Sequence, residues 1–347
     1  MAADVPPSEP APRILVIRRR SVGDVIMLAR LLRDLKAHWP AARLTLLVDR
    51  SAVVAAQLHA TLDGILVFPR RSPQWPALWR SIRRPAFTHV IDLDNDDGSA
   101  IVTFLTRAPH RATMVRLPRR IRFRRIYHTT TALPATSAAP AHLDDDYHAA
   151  VAVWGVPASS RDHSVRLFPA DVSRAQSLVA GPRPRVGVYP GGRDRRAIWP
   201  AELFAGVCDR LQDDLNAKVF LLGGTAEAVV IGQIRAAAES HLIALDPRLS
   251  LGELGAVFAQ LDVLLCYDSD AMHLAAAVGT PVVALFVSES IAAHRPLGAH
   301  HTVLFAPEQK PNACIKADAD QSSCVRPLDE TSVIEAVVAQ LTRTSAR

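Results

Sequence analysis

Residues 262–286, DVLLCYDSDAMHLAAAVGTPVVALF, constrain the fold more than any other stretch of the chain. A short apolar run (Val263 to Tyr267) leads into Asp268, Ser269 and Asp270, and then into an Ala-rich helical run that Gly279 and Pro281 stop before a second apolar run, Val282 to Phe286. Two buried strands joined by one helix pair in parallel, so this piece confines the chain to the α/β class. In such a unit the crevice at the carboxyl end of the strand is where ligands bind, and the helix start turns N–H groups and a positive dipole end toward an anion. A phosphate held at residues 269–273 is the functional reading; a helix merely capped by Asp268 or Ser269 is the plain one.

The same alternation runs through the rest of the sequence. Strands are expected at 13–17, 44–48, 64–68 and 88–93, with helices at 25–37, 52–59 and 75–82. Residues 129–141, TTTALPATSAAPA, lack periodicity and read as a loop, and 142–155 as a helix ending in Gly-Val-Pro. At Arg185 the rhythm restarts, with strands at 185–189, 219–222 and 242–245 and helices at 226–240 and 251–261. The expected fold is α/β, with two Rossmann-like, doubly wound parallel-sheet domains facing a central cleft. The predicted boundaries are a polar, Pro-rich disordered tail (1–12), an N-terminal domain (13–158), a linker with one helix (159–184) and a C-terminal domain (185–347). The last helix, 330–341, is free to pack back on the N-terminal domain.

Composition narrows the function. The chain of 347 residues is 49% hydrophobic and 21% charged, with a net charge of +6 and a pI near 9.5, which favours an anionic partner. No apolar run approaches the roughly 20 residues that cross a bilayer, and the tail lacks the pattern of a signal peptide, so the expected location is cytoplasmic. Cys208 and Cys266 fall in helix and strand patterns as core thiols; Cys314 and Cys324 lie close together in a polar loop without the paired spacing of a zinc site, so no metal is expected.

Several loops lie on the carboxyl rims of the predicted sheets. Ser21, Val22, Gly23 and Asp24 form a tight loop after the first strand; Asp24 is either a carboxylate poised to take a proton or a cap or first-turn acid of the following helix. In the second half, Tyr189-Pro190-Gly191-Gly192 and Gly223-Gly224 follow successive strands, where glycines let a phosphate approach backbone N–H groups. Glu227 is suited to accept hydrogen bonds from ribose hydroxyls. The third loop holds Asp268, Ser269, Asp270, Ala271, Met272 and His273. Residues 116–125, RLPRRIRFRR, interleave Arg116, Arg119, Arg120 and Arg122 with apolar residues, as a segment resting on an anionic surface would. No nucleic-acid-binding signature accompanies them.

These residues resemble glycosyltransferase family 9, the ADP-heptose:lipopolysaccharide heptosyltransferases, over nearly the whole chain. The matching pieces are the S-x-G-D loop (Ser21, Gly23, Asp24), Asp92-Leu93, the PGG loop followed by Trp199-Pro200-Ala201-Glu202, and the LLGG loop with Glu227. Most specific is D-S-x-x-M-H-L-A-A-A-x-G-T-P, from Asp268 to Pro281. The resemblance implies a GT-B fold and an inverting transferase that needs no metal or other cofactor. Its N-terminal domain would take the acceptor, an anionic glycolipid or saccharide; its C-terminal domain would take the nucleotide sugar. Asp24 would be the general base, and Arg193, Arg195 or Arg196 would join the 268–273 loop on the diphosphate. Arg116, Arg119, Arg120 and Arg122 would meet acceptor phosphates or carboxylates, or the inner face of the cell membrane as a peripheral contact. Two positions depart from the pattern: Ala197 stands where the family has lysine, and Asp270 where it has glycine. Both suit the alternatives of another nucleotide sugar, a polysaccharide or protein acceptor, or a non-catalytic nucleotide-sugar binder.

Overall fold

The computed structural model describes residues 11–69, 74–116, 124–127, 129–133, 142–192, 199–286, 291–298, 300–305 and 329–345. They form two compact units, Met1–Asp162 and His163–Arg347.

In the first unit six parallel strands, β1 (Arg13–Ile17), β2 (Arg43–Val48), β3 (Gly64–Val67), β4 (His89–Asp92), β5 (His110–Arg116) and β6 (Thr129–Leu133), lie in the order 3-2-1-4-5-6. The second unit repeats that order. Counting from β7 (Arg185–Tyr189) through β8 (Lys218–Leu221), β9 (Ile243–Ala244), β10 (Val263–Tyr267), β11 (Val282–Phe286) and β12 (Thr302–Phe305), its sheet runs 9-8-7-10-11-12. Each sheet thus reverses direction between its first and fourth strands, β1 and β4 in one unit and β7 and β10 in the other. At that reversal the flanking loops splay apart and leave a crevice for a ligand.

The central strands are apolar throughout because helices cover both faces of a parallel sheet; β10 and β11 are buried at every residue. In the first unit, α1 (Val22–Ile26), α2 (Ala29–His38) and α3 (Val53–Gln57) follow β1 and β2, and α6 (Leu143–Val151) packs on α2. The crossovers α4 (Trp75–Arg83) and α5 (Asp97–Thr106) pack on each other, and Leu78, Ile82 and Val102 close a core with Leu15, Ile17 and Val90 of the sheet. The second unit is covered by α7 (Pro169–Leu178), α8 (Ala201–Leu215), α9 (Ala228–Ala237), α10 (Leu251–Phe258), α11 (Asp270–Ala277), α12 (Ile291–His294) and α13 (Glu330–Ser345).

The structure corrects several expectations. The helix expected at 25–37 is two, broken at Met27 and Leu28, because residues from Val25 to Ala29 are all buried and no amphipathic period marks the break. The Ser21–Asp24 loop is instead the cap and first turn of α1. Residues 129–133, read as loop, form the edge strand β6; an edge strand pairs on one side only and does not need an apolar alternation, and β-branched threonine suits it. The helix expected at 142–155 ends at Val151 and continues as one 3-10 turn, Ala152–Trp154, closed by left-handed Gly155. Residues 163–184, taken as part of a linker, sit in the second unit: α7 packs on α10, and Val165 N–H donates to the Ala277 carbonyl. α13 packs on α8 and against β10, β11 and β12 of its own unit.

Candidate functional site

At the reversal of the first sheet, the loop leaving β1 is basic (Arg18, Arg19, Arg20) and the loop leaving its neighbour β4 is acidic (Asp94, Asp96, Asp97). Parallel pairing of the two strands brings these charges together. Arg18 pairs with Asp24 and also donates to Asp94 Oδ1 (3.2 Å) and the Leu93 carbonyl (3.1 Å). Arg19 donates its backbone N–H and its Nε to Asp94 Oδ2 (3.0 and 2.9 Å), pairs with Asp96, and stacks on the Phe68 ring 4.1 Å from its centroid. Arg20 adds a third contact, to Asp96 at 2.9 Å.

Asp24 occupies the first turn of α1 with its side chain 9% exposed. The cap is Ser21, whose Oγ accepts from Asp24 N–H at 3.4 Å. Ser21 does this at φ 62°, a left-handed conformation that costs a non-glycine residue on the order of 1 kcal/mol. Since Ser21 supplies the cap, Asp24 is left to do something else. Arg18 lies beneath it, 5.6 Å from the ring centroid of the fully buried Tyr147 of α6. Burial opposes its charge, but the fields of Tyr147, Asp24 and Asp94 outweigh burial and hold its pKa above the ordinary arginine value. Arg18 is thus a fixed cation shared by two carboxylates.

Asp92 shapes the acidic loop from below. Its fully buried carboxylate accepts from Tyr127 Oη at 2.6 Å and from the N–H groups of Asp94 and Asn95, both at 3.0 Å. Burial raises its pKa to about 6, and the hydrogen bonds from Tyr127 and Asn95 only partly offset that rise. Burial and the adjacent Asp92 charge push the Tyr127 phenol upward in turn. Along the same rim a cavity of about 850 Å³ opens between Arg50 and Ser51, the end of β3 and α4, with Phe68 as one wall.

In the second unit the loops after β7 and β8 converge on Glu227. Its Oε2 accepts from Gly224 N–H at 2.8 Å and stands 3.5 Å from Tyr189 Oη. A Cβ on Gly191 would lie 2.7 Å from Glu227 Cγ and 2.8 Å from Tyr189 Cε1, and one on Gly223 2.7 Å from Glu227 Cβ, so only glycine lets the loops close on this carboxylate. Pro190 is buried, and Gly192 packs over Tyr267. The Tyr189 phenol is pushed upward by burial and then by Glu227 and Asp270, which brings Asp270 within electrostatic reach of the β7 loop.

Ser269 caps α11, its Oγ accepting from Met272 N–H at 3.3 Å. Asp268 is half-buried beside this cap, and its N–H is taken by the Leu285 carbonyl at 3.2 Å. Ala271, Met272 and His273 are buried, and the Met272 N–H is taken by Ser269 Oγ. Arg193, Arg195, Arg196 and Ala197 lie outside the described residues, as do Arg119, Arg120 and Arg122; of Arg116, only the backbone, at the end of β5, is described. Cys314 and Cys324 also lie outside them, while Cys208 and Cys266 are buried thiols with raised pKa values, Cys208 at about 12.

Motif reading found Asp24 and the three glycine or helix-start loops but missed Arg18, Asp94, Tyr127 and Tyr147. The available signal was the opposed pair of runs, RRR after one strand and DNDD after another.

Two doubly wound parallel α/β units in one chain, each carrying polar loops at its strand-order reversal, are the architecture of the GT-B fold. The chain belongs to glycosyltransferase family 9 (heptosyltransferase), whose family model matches residues 75–323. It is 21% identical over 304 residues to the lipopolysaccharide core heptosyltransferase OpsX of Haemophilus influenzae, covering 83% of this chain and 81% of OpsX. Its fold matches a glycosyl transferase family 9 protein of Veillonella parvula with a TM-score of 0.82, at 22% identity, covering 96% of this chain and 98% of the other. The E. coli ADP-heptose LPS heptosyltransferase II matches with a TM-score of 0.79, at 20% identity, covering 96% and 99%.

Proposed function

We propose that this family 9 enzyme transfers a heptose from ADP-heptose to the lipopolysaccharide core or a related anionic saccharide, by inversion and without a metal. The observation that carries the reading is the placement of Asp24, a mostly buried acid relieved of capping duty by Ser21 and held by Arg18 at the strand-order reversal of the first sheet. Asp24 takes the proton of the acceptor hydroxyl, the freed oxygen lone pair attacks the anomeric carbon, and the bond from that carbon to the diphosphate oxygen breaks. ADP leaves with the electron pair and the anomeric configuration inverts. The cavity beside Phe68, with Arg50 in its wall, suits an anionic saccharide acceptor. Glu227 suits the ribose hydroxyls, and the start of α11 suits the departing diphosphate.

The test is transfer by Asp24→Asn with ADP-heptose and a core acceptor lacking the heptose. A fall in kcat of roughly 10²–10⁴ is expected for loss of a general base; undiminished turnover removes the assignment.

A second reading, a family member with a different nucleotide sugar or with a polysaccharide or protein acceptor, is favoured by Asp270. Its carboxylate, close to Tyr189 at the first residue of α11, adds negative charge where a diphosphate would sit. Binding measured across ADP-, UDP- and GDP-sugars separates the readings. A chain that binds nucleotide yet releases none with any acceptor is a non-catalytic binder.

A further inference from the structure

The charge of this chain is concentrated in one part of it. Between Gly64 and Leu143 there are thirteen arginines and four aspartates, a net of +9 against +6 for the whole sequence. Three of those aspartates are engaged inside the fold: Asp92 with Tyr127, Asp94 with Arg18 and Arg19, and Asp96 with Arg19 and Arg20. Among the described residues of this stretch Arg80, Arg84, Arg107 and Arg125 are exposed, against one exposed carboxylate, Asp97.

Topology gathers the stretch on one face. The chain steps from β1 to β2 to β3 in one direction, then returns across the sheet to β4 and continues to β5 and β6. Right-handed crossovers put helices of opposite travel on opposite faces, so α4 and α5 share a face. In agreement, α4 packs on α5, and α5 on the 3-10 turn Arg124–Ile126 that closes the arginine-rich segment. α4 and α5 both run from the carboxyl rim toward the amino rim, which brings their C-terminal turns, with Arg80, Arg83, Arg84 and Arg107, to the same end.

The outer side of these two helices is apolar where a solvated helix pair would be polar. Trp79 is 48% exposed, Ile101 45% and Phe104 59%. Ile101 and Phe104 follow one another on the α5 surface opposite the residues that face the sheet. The Arg83 guanidinium lies over the Trp79 ring, 5.9 Å from its centroid, an amphipathic pair with an apolar body and a cationic head. Arg80, Arg84 and Arg107 are exposed, and among the described residues no carboxylate stands within salt-bridge distance of them.

We propose that the α4–α5 face of the first unit is a docking surface for an anionic phospholipid membrane, with Trp79, Ile101 and Phe104 entering the interface and the helix-end arginines meeting the phosphates. Among the described residues no helix is long and apolar enough to cross a membrane, so this contact is peripheral. Charge complementarity selects the occupant. A nucleic acid would use the arginines but gain nothing from an exposed isoleucine and phenylalanine, and a second copy of this face would oppose cation to cation. Apolar side chains flanked at one end by exposed arginines match a headgroup layer over acyl chains. The surface shares no residue with the Asp24 cluster or with the loops around Glu227, so the proposal stands or falls independently of the reaction.

The test is co-sedimentation of the full chain with vesicles of phosphatidylcholine alone and of phosphatidylcholine mixed with phosphatidylglycerol. Binding to the mixed vesicles only, weakening as salt rises, is expected. Each of R80Q, R84Q and R107Q should lower the partition coefficient roughly fivefold, and the W79S/F104S pair at least tenfold, with turnover on a water-soluble acceptor and thermal melting unchanged in all. These side chains are exposed, so the variants should fold; R84Q, which removes no apolar contact, keeps the test valid if W79S/F104S does not. Failure to sediment with the mixed vesicles overturns the proposal. So does sedimentation that the arginine changes weaken and W79S/F104S does not, which marks a general polyanion site. A dimer that W79S/F104S dissociates while vesicle binding persists assigns the face to self-association and overturns it as well.

Discussion

Arg18 and Asp24, six residues apart, are joined by a buried ion pair in which the same guanidinium also reaches Asp94 on the loop after β4. The side chain proposed as the base is therefore oriented by a cation that is itself held from a different strand. Any movement of the β4 loop would be felt at Asp24 through Arg18.

Replacing Arg18 with methionine takes the cation out of the ion pair with Asp24, while Asp94 keeps its pair with Arg19. Removing one partner of such a buried pair costs about 3–5 kcal/mol, so R18M should unfold at markedly lower urea concentration. R18K keeps the charge but has no fork with which to span both acids. It should recover most of the stability while kcat stays low and KM for the donor is unchanged. Equal recovery of kcat would make Arg18 a structural residue only.

Asp92 should make stability depend on pH in a definite direction. Its ordinary value of 3.8 rises to about 6 in the fold, so between those values the folded chain holds a proton that the unfolded chain has released. This carboxyl favours the fold fully below pH 4; that contribution is lost as pH climbs to 6 and stays lost above, a change on the order of 3 kcal/mol. D92N keeps an acceptor for Asp94 and Asn95 N–H and does not titrate. The stability of D92N minus that of wild type should therefore grow from pH 4 to pH 6, as read from urea midpoints; a flat difference contradicts the assignment.

Gly191 should be intolerant of alanine for a local reason. The added Cβ displaces Glu227, and losing hydrogen bonds to a charged group costs roughly 1.5–3 kcal/mol, so the Kd for ADP should rise about ten- to a hundredfold. G191A and E227A should not add in the double variant, because both act through the same carboxylate. Additive losses in calorimetric titrations would show that Gly191 contacts the nucleotide on its own account.

Ser269 should be worth about 1 kcal/mol to the fold as the cap of α11. S269A therefore lowers the melting temperature by a few degrees. If the start of α11 also meets a diphosphate, the stabilisation that ADP confers on wild type should shrink in S269A, as ligand-dependent melting would record.

Four strands, β1, β7, β10 and β11, lie where their apolar runs end, because a strand covered on both faces writes its whole length in apolar residues. Elements that obey weaker constraints were harder to read. β6 is an edge strand of threonines, α5 buries Ser99, Thr103 and Thr106 while exposing Ile101 and Phe104 and so shows no amphipathic period, and the break between α1 and α2 falls inside a stretch buried on every side. Asp24 was legible from its local S-x-G-D spacing. Arg18 was not, since three arginines in a row suggest a solvated turn, and Asp94, which fixes it from the other strand, is 76 residues away in sequence and reaches it only once β1 and β4 pair.

The repeated strand order has a consequence for how such a protein changes. Each sheet has its own core and keeps its polar loops at its own reversal, with the acid–arginine web on one and the glycine loops around Glu227 on the other. Asp270 belongs to the second set and Arg20 to the first. Preferences inscribed on the two sheets can therefore drift separately, and a descendant can exchange one while inheriting the other intact.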